Sequence, residues 1–394
     1  VADPAPAAPA DDGTPILEAR DVAVYFDAPH GLVKRARGAP RERLHAVDGV
    51  DLRVMPGEAL GLVGESGSGK STLARAIVGL QPLSRGEIRF EDQLLPAARS
   101  RPQRRRIQIV FQDPYSSLNP RMTVHEVLRE LLRVHKIVPK DRVDQRCREL
   151  LDLVGLRHDA LDAFPRQFSG GQRQRVAIAR ALALEPDVLV ADEPVSALDV
   201  SVQATILNLL RDLQHELGLT LLFIAHNLAV VRHLCDRVAV MYLGRIVEVA
   251  RTEELFADPR HPYTRGLLQA IPRLDPGRVS EVVGVEGDPP SPLDLPTGCR
   301  FHPRCPLAQP VCHTDDPSLV AGGASGSAHT AACHFAWTAA PPAHVPEVES
   351  QGDGGSRGGG DEERSDAVAD ILASDATLPL DALTETEHPE GSDQ

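Results

Sequence analysis

Four short, uninterrupted apolar runs punctuate the first two-thirds of the chain: ALGLV at 59–63, IQIVF at 107–111, VLVA at 188–191 and TLLFIA at 220–225. Runs this short and apolar on both faces predict parallel strands buried inside a sheet, where neither face meets water and polar alternation is lost. Each run leads into a Gly or a polar residue, namely Gly64, Gln112, Asp192 and His226. Parallel strands put those four positions at carboxyl ends, the edge of an open α/β sheet where ligands bind.

Two segments between the second and third runs have helical periodicity instead. TVHEVLRELLRVHK spaces Val124, Val127, Leu128, Leu131, Leu132 and His135 by threes and fours after Thr123, a candidate N-cap. DRVDQRCRELLDLVGL does the same with Val143, Cys147, Leu150, Leu151 and Val154, opening on Asp141 and stopping at Gly155. Cys147 therefore falls on an apolar face as a core thiol, and Cys235 in HLCDRVAV reads the same way.

Composition changes this picture mainly at the ends. The chain has 394 residues and a net charge of −14, a balance that argues against a nucleic-acid backbone as the main partner, since such binding needs clustered cations. Yet residues 341–394 hold 14 acids against Arg357 and Arg364, so the remainder is close to neutral. The acidity thus describes a solvated tail, and the exclusion of nucleic acid rests on the motifs. Residues 1–13 read as a disordered leader and 339–394 as an acidic disordered tail, each with little to bury. No apolar run approaches the roughly 18 residues of a membrane span, and VADPAPAAPADDG lacks the basic and apolar regions of a secretory signal, so the chain is expected to stay in the cytosol. In that compartment the six Cys are expected as core residues, reactive thiols or metal ligands, not disulfides.

The chemistry-bearing motifs sit where the predicted strands end. GESGSGKST at 64–72 follows a strand and precedes the helical stretch LARAIVGL. Gly64, Gly67 and Gly69 allow successive backbone N–H groups to turn inward as an anion nest at a helix N-terminus, with Glu65, Ser66, Ser68 and Thr72 completing the phosphate loop. Lys70, one of four Lys in the chain, is expected to reach the β and γ phosphates of ATP, and the Ser71 hydroxyl to ligate Mg²⁺. VLVADEP ends in two carboxylates that point in different directions from a strand end: Asp192 for the Mg²⁺ shell and Glu193 to polarise an attacking water.

With FSGGQRQRVAIARAL at 168–182, SALD ending at Asp199 and the lone His226, the order of motifs from about 16 to 250 resembles the ATP-binding-cassette (ABC) ATPases; Phe168 replaces the Leu usual in that family. The resemblance implies a phosphate-loop NTPase cassette over 14–258: a RecA-like core, an antiparallel β subdomain and a helical subdomain at about 113–185. It also implies a head-to-tail dimer in which Ser169, Gly170, Gly171 and Gln172 of one cassette close over nucleotide held by the other. By the same resemblance Gln112 senses Mg²⁺ and water and bears on the membrane subunit, His226 touches the γ phosphate, and Asp199 links the two sites. Phe26 is expected to stack on adenine, with Tyr25 as its rival. Residues 30–43, HGLVKRARGAPRER, form a basic insertion read as a solvated hairpin, with contact to lipid headgroups as the alternative.

Beyond the cassette, HPYTRGLLQAIP at 261–272 and four Cys at 299, 305, 312 and 333 resemble the C-terminal extension of oligopeptide and dipeptide importer ATPases; FQDPYSSLNP and the basic insertion suggest the F-type subunit. A Pro-rich unit at 259–338 is too small to fold on apolar burial alone, so a metal staple is physically sensible. Cys299, Cys305, Cys312 and Cys333 lack the close pairs common in zinc sites and are expected to hold a 4Fe–4S cluster, with zinc or no metal as alternatives and His302, His313 and His334 near enough to substitute.

The expected function is therefore ATP hydrolysis energising a membrane importer of di- or oligopeptides. Its partners would be two permease subunits, a second cassette of the D type in a heterodimer, and indirectly an extracytoplasmic peptide-binding protein. The chain would sit peripherally on the cytoplasmic face of the membrane. The competing readings are a soluble cassette ATPase acting on DNA or ribosomes, a regulatory iron–sulfur protein, and an importer of another small solute such as nickel chelates.

Overall fold

The computed structural model describes residues 13–27, 43–113, 117–270, 285, 287–322 and 328–338. The expected leader up to residue 12, the basic insertion up to residue 42 and the acidic tail lie outside them; Arg43, the last residue of the insertion, opens a strand. The chain divides into one unit of Val1–Tyr25 with His45–Glu347 and another of Phe26–Leu44 with Val348–Gln394; every expected site residue except Phe26 belongs to the first.

Strands β1 (Leu17–Asp27) and β2 (Arg43–Val54) precede the short, wholly buried β3 (Ala59–Val63), which leads through the Gly-rich loop into helix α1 (Lys70–Val78). Next come β4 (Arg85–Phe90), β5 (Gln93–Leu94), α2 (Arg101–Arg106) and β6 (Ile107–Val110). The helices α3 (Val124–Val134), α4 (Val143–Leu153) and α5 (Gly170–Leu182) follow before β7 (Val188–Asp192). Then come α6 (Val200–Leu217), β8 (Thr220–Ala225), α7 (Leu228–Leu234), β9 (Arg237–Tyr242), β10 (Arg245–Arg251) and α8 (Thr252–Ala257). After α8 lie α9 (Pro262–Gln269), α10 (Pro310–Thr314), β11 (Val320–Ala321) and β12 (Thr330–Ala331).

Two sheets result, one ordered β2-β1-β4-β5 and one ordered β11-β12-β10-β9-β3-β8-β7-β6. In the larger sheet β9, β3, β8, β7 and β6 are mutually parallel, and β10 and β12 add antiparallel strands on the β9 side. Val63 pairs with Ala225, Asp192 with Ile224 and Ala191 with Val110. This register brings the carboxyl ends of four strands to one edge, so the residues that follow them meet there.

Local sequence accounts for the helical layer. Thr123 caps α3, accepting from the Glu126 amide while the Glu126 carboxylate accepts from the Thr123 amide. Val124, Val127, Leu128 and Leu132 of α3 and Val143, Cys147, Leu150 and Leu151 of α4 are buried in one core with β6 and β7 residues. Each fully buried Leu contributes about 2 kcal/mol of transfer free energy.

Candidate nucleotide site and cysteine cavity

The phosphate loop is held in a backbone path that side chains would block. A Cβ on Gly64 would lie 2.1 Å from the Met241 carbonyl oxygen, and one on Gly69, at φ +102°, would lie 2.0 Å from the Ala46 carbonyl oxygen. The loop thus passes against β9 on one side and β2 on the other. Lys70 opens α1 and is only 4% exposed. Its Nζ donates to the carbonyls of Gly64 at 2.9 Å and Glu65 at 2.8 Å, and lies 3.9 Å from Glu193 Oε1. Burial pushes the Lys70 ammonium down from its ordinary value, against the pull of Glu193, Asp192 and Glu65.

The acids gather around it. Ser71 Oγ donates to Asp192 Oδ1 at 2.9 Å. Burial raises the Asp192 carboxyl above its usual range, opposed by the Ser71 hydrogen bond and reinforced by the charge of Glu193. Glu193 itself turns out of β7 with a positive φ of 45°, a conformation costing a residue with a Cβ on the order of 1 kcal/mol. That turn directs its carboxylate to three partners: Gln112 Nε2 donates to Oε2 at 3.1 Å, His226 Nδ1 lies 3.5 Å from Oε2, and Lys70 faces Oε1. Four strand ends therefore deliver Lys70, Gln112, Asp192, Glu193 and His226 to one cluster.

Other expected site residues sit elsewhere. Ser169 caps α5: its Oγ accepts from the Gln172 amide at 3.3 Å, and Gln172 Oε1 accepts from the Ser169 amide at 3.0 Å. Ser169, Gly170 and Gln172 are exposed, and the side-chain hydrogen bonds of Ser169 and Gln172 among the described residues are with each other. A Cβ on Gly170 would meet Leu198 at 3.1 Å and one on Gly171 would meet Val202 at 2.4 Å, so this motif packs directly on the segment carrying Asp199. Beside Asp199, Val200 is 83% exposed. Phe26 is half-buried near the end of β1. Tyr25, its rival, is engaged otherwise, donating its hydroxyl to Asp48 and tilting its ring on His45 at 4.5 Å.

All six Cys are free thiols. Cys147 and Cys235 are buried, as expected for core residues. The other four line one cavity of about 210 Å³ together with His302, His334, Phe301 and Phe335. Burial raises the thiols of Cys299 to about 11, Cys305 to about 12 and Cys333 above its ordinary value. The Cys333 sulfur also accepts from the backbone N–H of Phe335 at 3.5 Å. Among the described residues no group of three or more His, Cys, Asp or Glu is close enough to hold a single metal ion.

The family model described as ABC transporter matches residues 47–196, and that described as Oligopeptide/dipeptide transporter, C-terminal region, matches residues 247–312. A putative peptide import ATP-binding protein of Brucella abortus is 49% identical over 309 residues, 78% of this chain and 94% of the relative. The chain belongs to the ABC ATPases. Within that family the oligopeptide transport ATP-binding protein OppF of Salmonella typhimurium is 48% identical over 77% of this chain and 92% of its own length. AppF of Bacillus subtilis is 45% identical over 81% and 97%. Among solved structures, cbiO1 from Clostridium perfringens, part of the ABC transporter complex cbiONQ, matches with a TM-score of 0.53 at 31% identity, covering 62% of this chain and 92% of that one. A post-hydrolysis dimer of the ATP-binding cassette MJ0796 bound to ADP and Pi matches with 0.51 at 28% identity, covering 60% and 98%.

In this ABC ATPase the sequence reading missed how the C-terminal extension engages the cassette. Arg300 pairs with Asp48, the same carboxylate that holds Tyr25. Glu248, fully buried on β10, accepts from the backbone amides of Arg260 at 2.6 Å and His261 at 2.9 Å and lies 2.7 Å from His329 Nε2. Tyr263 and Arg304 reach the phosphate loop itself. Local periodicity carries no trace of such contacts; HPYTRGLL and CRFHPRC flag only that unusual polar residues recur there.

Proposed function

We propose that this ABC ATPase binds MgATP at residues 64–72 and hydrolyses it to ADP and phosphate to energise a membrane importer of di- or oligopeptides. One observation carries the catalytic reading: Gln112, His226 and Lys70, from three strand ends, all face the carboxylate of Glu193. In it, the loop amides and Lys70 receive the β and γ phosphates. Glu193 accepts the proton of a water attacking the γ phosphorus as the bond to the ADP oxygen breaks, and Gln112 and His226 orient that carboxylate and water.

The donor set fits Mg²⁺: Ser71 and Asp192 offer hard oxygens 2.9 Å apart, and Asp192 is a desolvated carboxylate that a cation would relieve. Bound there, the ion would neutralise charge on the transferring phosphoryl group. Phe26 is assigned to adenine.

A second copy or a related D-type cassette supplies Ser169, Gly170, Gly171 and Gln172 to the nucleotide in the dimer. The packing of Gly170 and Gly171 on Leu198 and Val202, with Val200 and Asp199 exposed alongside, supports this reading, since both motifs then belong to one surface. Peptide cargo is supported by the C-terminal region match and by the relatives' names. Permease partners and a peripheral place on the cytoplasmic face follow from that reading; among the described residues no helix is long and apolar enough to cross a membrane. Cys299, Cys305, Cys312 and Cys333 are assigned to a 4Fe–4S cluster. Four free thiols lining one cavity support that reading.

The test is purification of the intact assembly from cells producing this chain, followed by reconstitution in vesicles. Expected are two permeases, a second cassette, and ATP-dependent uptake of di- or oligopeptides. A chain recovered with ribosomes or DNA and no membrane subunit defeats the proposal.

A further inference from the structure

Three hydrogen-bonding groups converge on Glu65, the second residue of the phosphate loop. Its carboxylate takes both terminal nitrogens of Arg304, Nη1 to Oε2 at 2.8 Å and Nη2 to Oε1 at 3.0 Å. Its backbone N–H donates to Tyr263 Oη at 2.9 Å, and its carbonyl accepts from Lys70 Nζ at 2.8 Å. Two of the three come from the extension, 239 and 198 positions away in sequence.

The two extension residues are firmly seated. The Arg304 side chain is 6% exposed. Tyr263 is fully buried, its ring tilted against Tyr242 at 4.6 Å and Phe301 at 5.5 Å. Phe301 and Arg304 lie between Cys299 and Cys305, so the segment that supplies two of the cavity's thiols also supplies the guanidinium.

Charge gives this arrangement its consequence. A bare carboxylate at Glu65 would stand beside Lys70, the cation that meets the nucleotide phosphates, and would repel a polyanion arriving there. The planar fork of Arg304 neutralises that carboxylate in a bidentate pair and fixes its direction. Tyr263 fixes the Gly64–Glu65 peptide plane on the other side of the same residue, and with it the Gly64 carbonyl, to which Lys70 also donates at 2.9 Å.

We propose that Arg304 and Tyr263 are positioning residues for nucleotide binding: they hold Glu65 neutralised and oriented so that the phosphate loop and Lys70 can receive the β and γ phosphates. The extension thereby forms the outer wall of the ATP site. This inference rests on the reading of residues 64–72 as that site.

Equilibrium titration of the full chain with MgADP, a probe that does not turn over, tests it. Arg304→Ala is expected to weaken binding about tenfold, equivalent to ~1.4 kcal/mol. Tyr263→Phe, which removes one hydroxyl, and Arg304→Lys, which keeps charge but loses the fork, each weaken it about threefold. The deciding variant combines Arg304→Ala with Glu65→Gln: with no anion left to neutralise, affinity returns to within about threefold of the native chain. Native affinity in Arg304→Ala, or no recovery in the double variant, overturns the proposal, because a purely structural Arg304 would not be rescued by neutralising Glu65. Should Arg304→Ala fail to fold by circular dichroism, Tyr263→Phe and Arg304→Lys carry the test, and native affinity in both overturns it. A native chain that binds no MgADP refutes the nucleotide reading itself.

Discussion

Ser71 and Asp192 are joined by a 2.9 Å hydrogen bond across 121 positions of sequence, one in the first turn of α1 and the other closing β7. Their oxygens form the hard-donor pair assigned to Mg²⁺, so Ser71→Ala and Asp192→Asn should weaken metal-dependent hydrolysis most at low Mg²⁺. Titrating ATPase activity against Mg²⁺ checks this: the apparent metal constant rises about tenfold or more, and excess metal recovers the Ser71 variant better than the Asp192 variant. Because burial raises the Asp192 carboxyl, acidification should protonate it, and cost metal binding, at a higher pH than for an ordinary Asp.

Replacing Glu193 with Gln keeps the shape of the side chain and removes the proton acceptor. Phosphate release is expected to fall by about 10²- to 10⁴-fold while ATP binding persists. Turnover at the native rate in a phosphate-release assay would move the base elsewhere.

Gly69→Ala places a methyl group against the Ala46 carbonyl oxygen at a backbone angle that disfavours side chains. The loop must shift, at a cost of about 1–3 kcal/mol. Nucleotide binding should be lost while the far-UV spectrum is retained, as read by titration with MgADP.

Acid should destabilise the protein through groups buried in the extension. His261 is buried with its Nδ1 accepting from the Tyr263 amide, and burial depresses its ring to about 4 from the ordinary value of about 6.5. A depressed pKa contributes stability that is complete above the unfolded value and is lost as pH falls through the folded one, here from about 6.5 down to about 4, amounting to about 3 kcal/mol. Glu248, also held below its usual range, adds to the loss in the same direction at lower pH. Trp337, the single Trp of the chain, lies in the extension, so its fluorescence should report unfolding at lower denaturant at pH 5 than at pH 7.5.

Protein purified without oxygen should be brown and carry about four iron atoms per chain, and Cys305→Ser should lower that content. One tightly held zinc and no iron would replace the cluster with a mononuclear site.

Much of the cassette was legible because its central strands are covered on both faces and must be apolar throughout. ALGLV, VLVA and TLLFIA were found within a residue of β3, β7 and β8, and the residues after them meet at one edge as their parallel register requires. The caps of α3 and the burial of Cys147 were equally local. The hold of Tyr263 and Arg304 on Glu65 was not legible, because it depends on tertiary packing between segments with no shared period. Nor did the thiol spacings reveal the Phe335 N–H that the Cys333 sulfur accepts.

The strand β12 bears on how the chain can be dissected. It hydrogen-bonds to β10, an antiparallel strand of the larger sheet, and His329 just before it hydrogen-bonds the buried Glu248. Truncation after the cassette would bare the β10 edge to pairing with other chains and strand a buried carboxylate without donors, a defect of about 3–5 kcal/mol. Cassette and extension therefore unfold as one cooperative unit, and a shortened chain would report misfolding where loss of regulation was being sought.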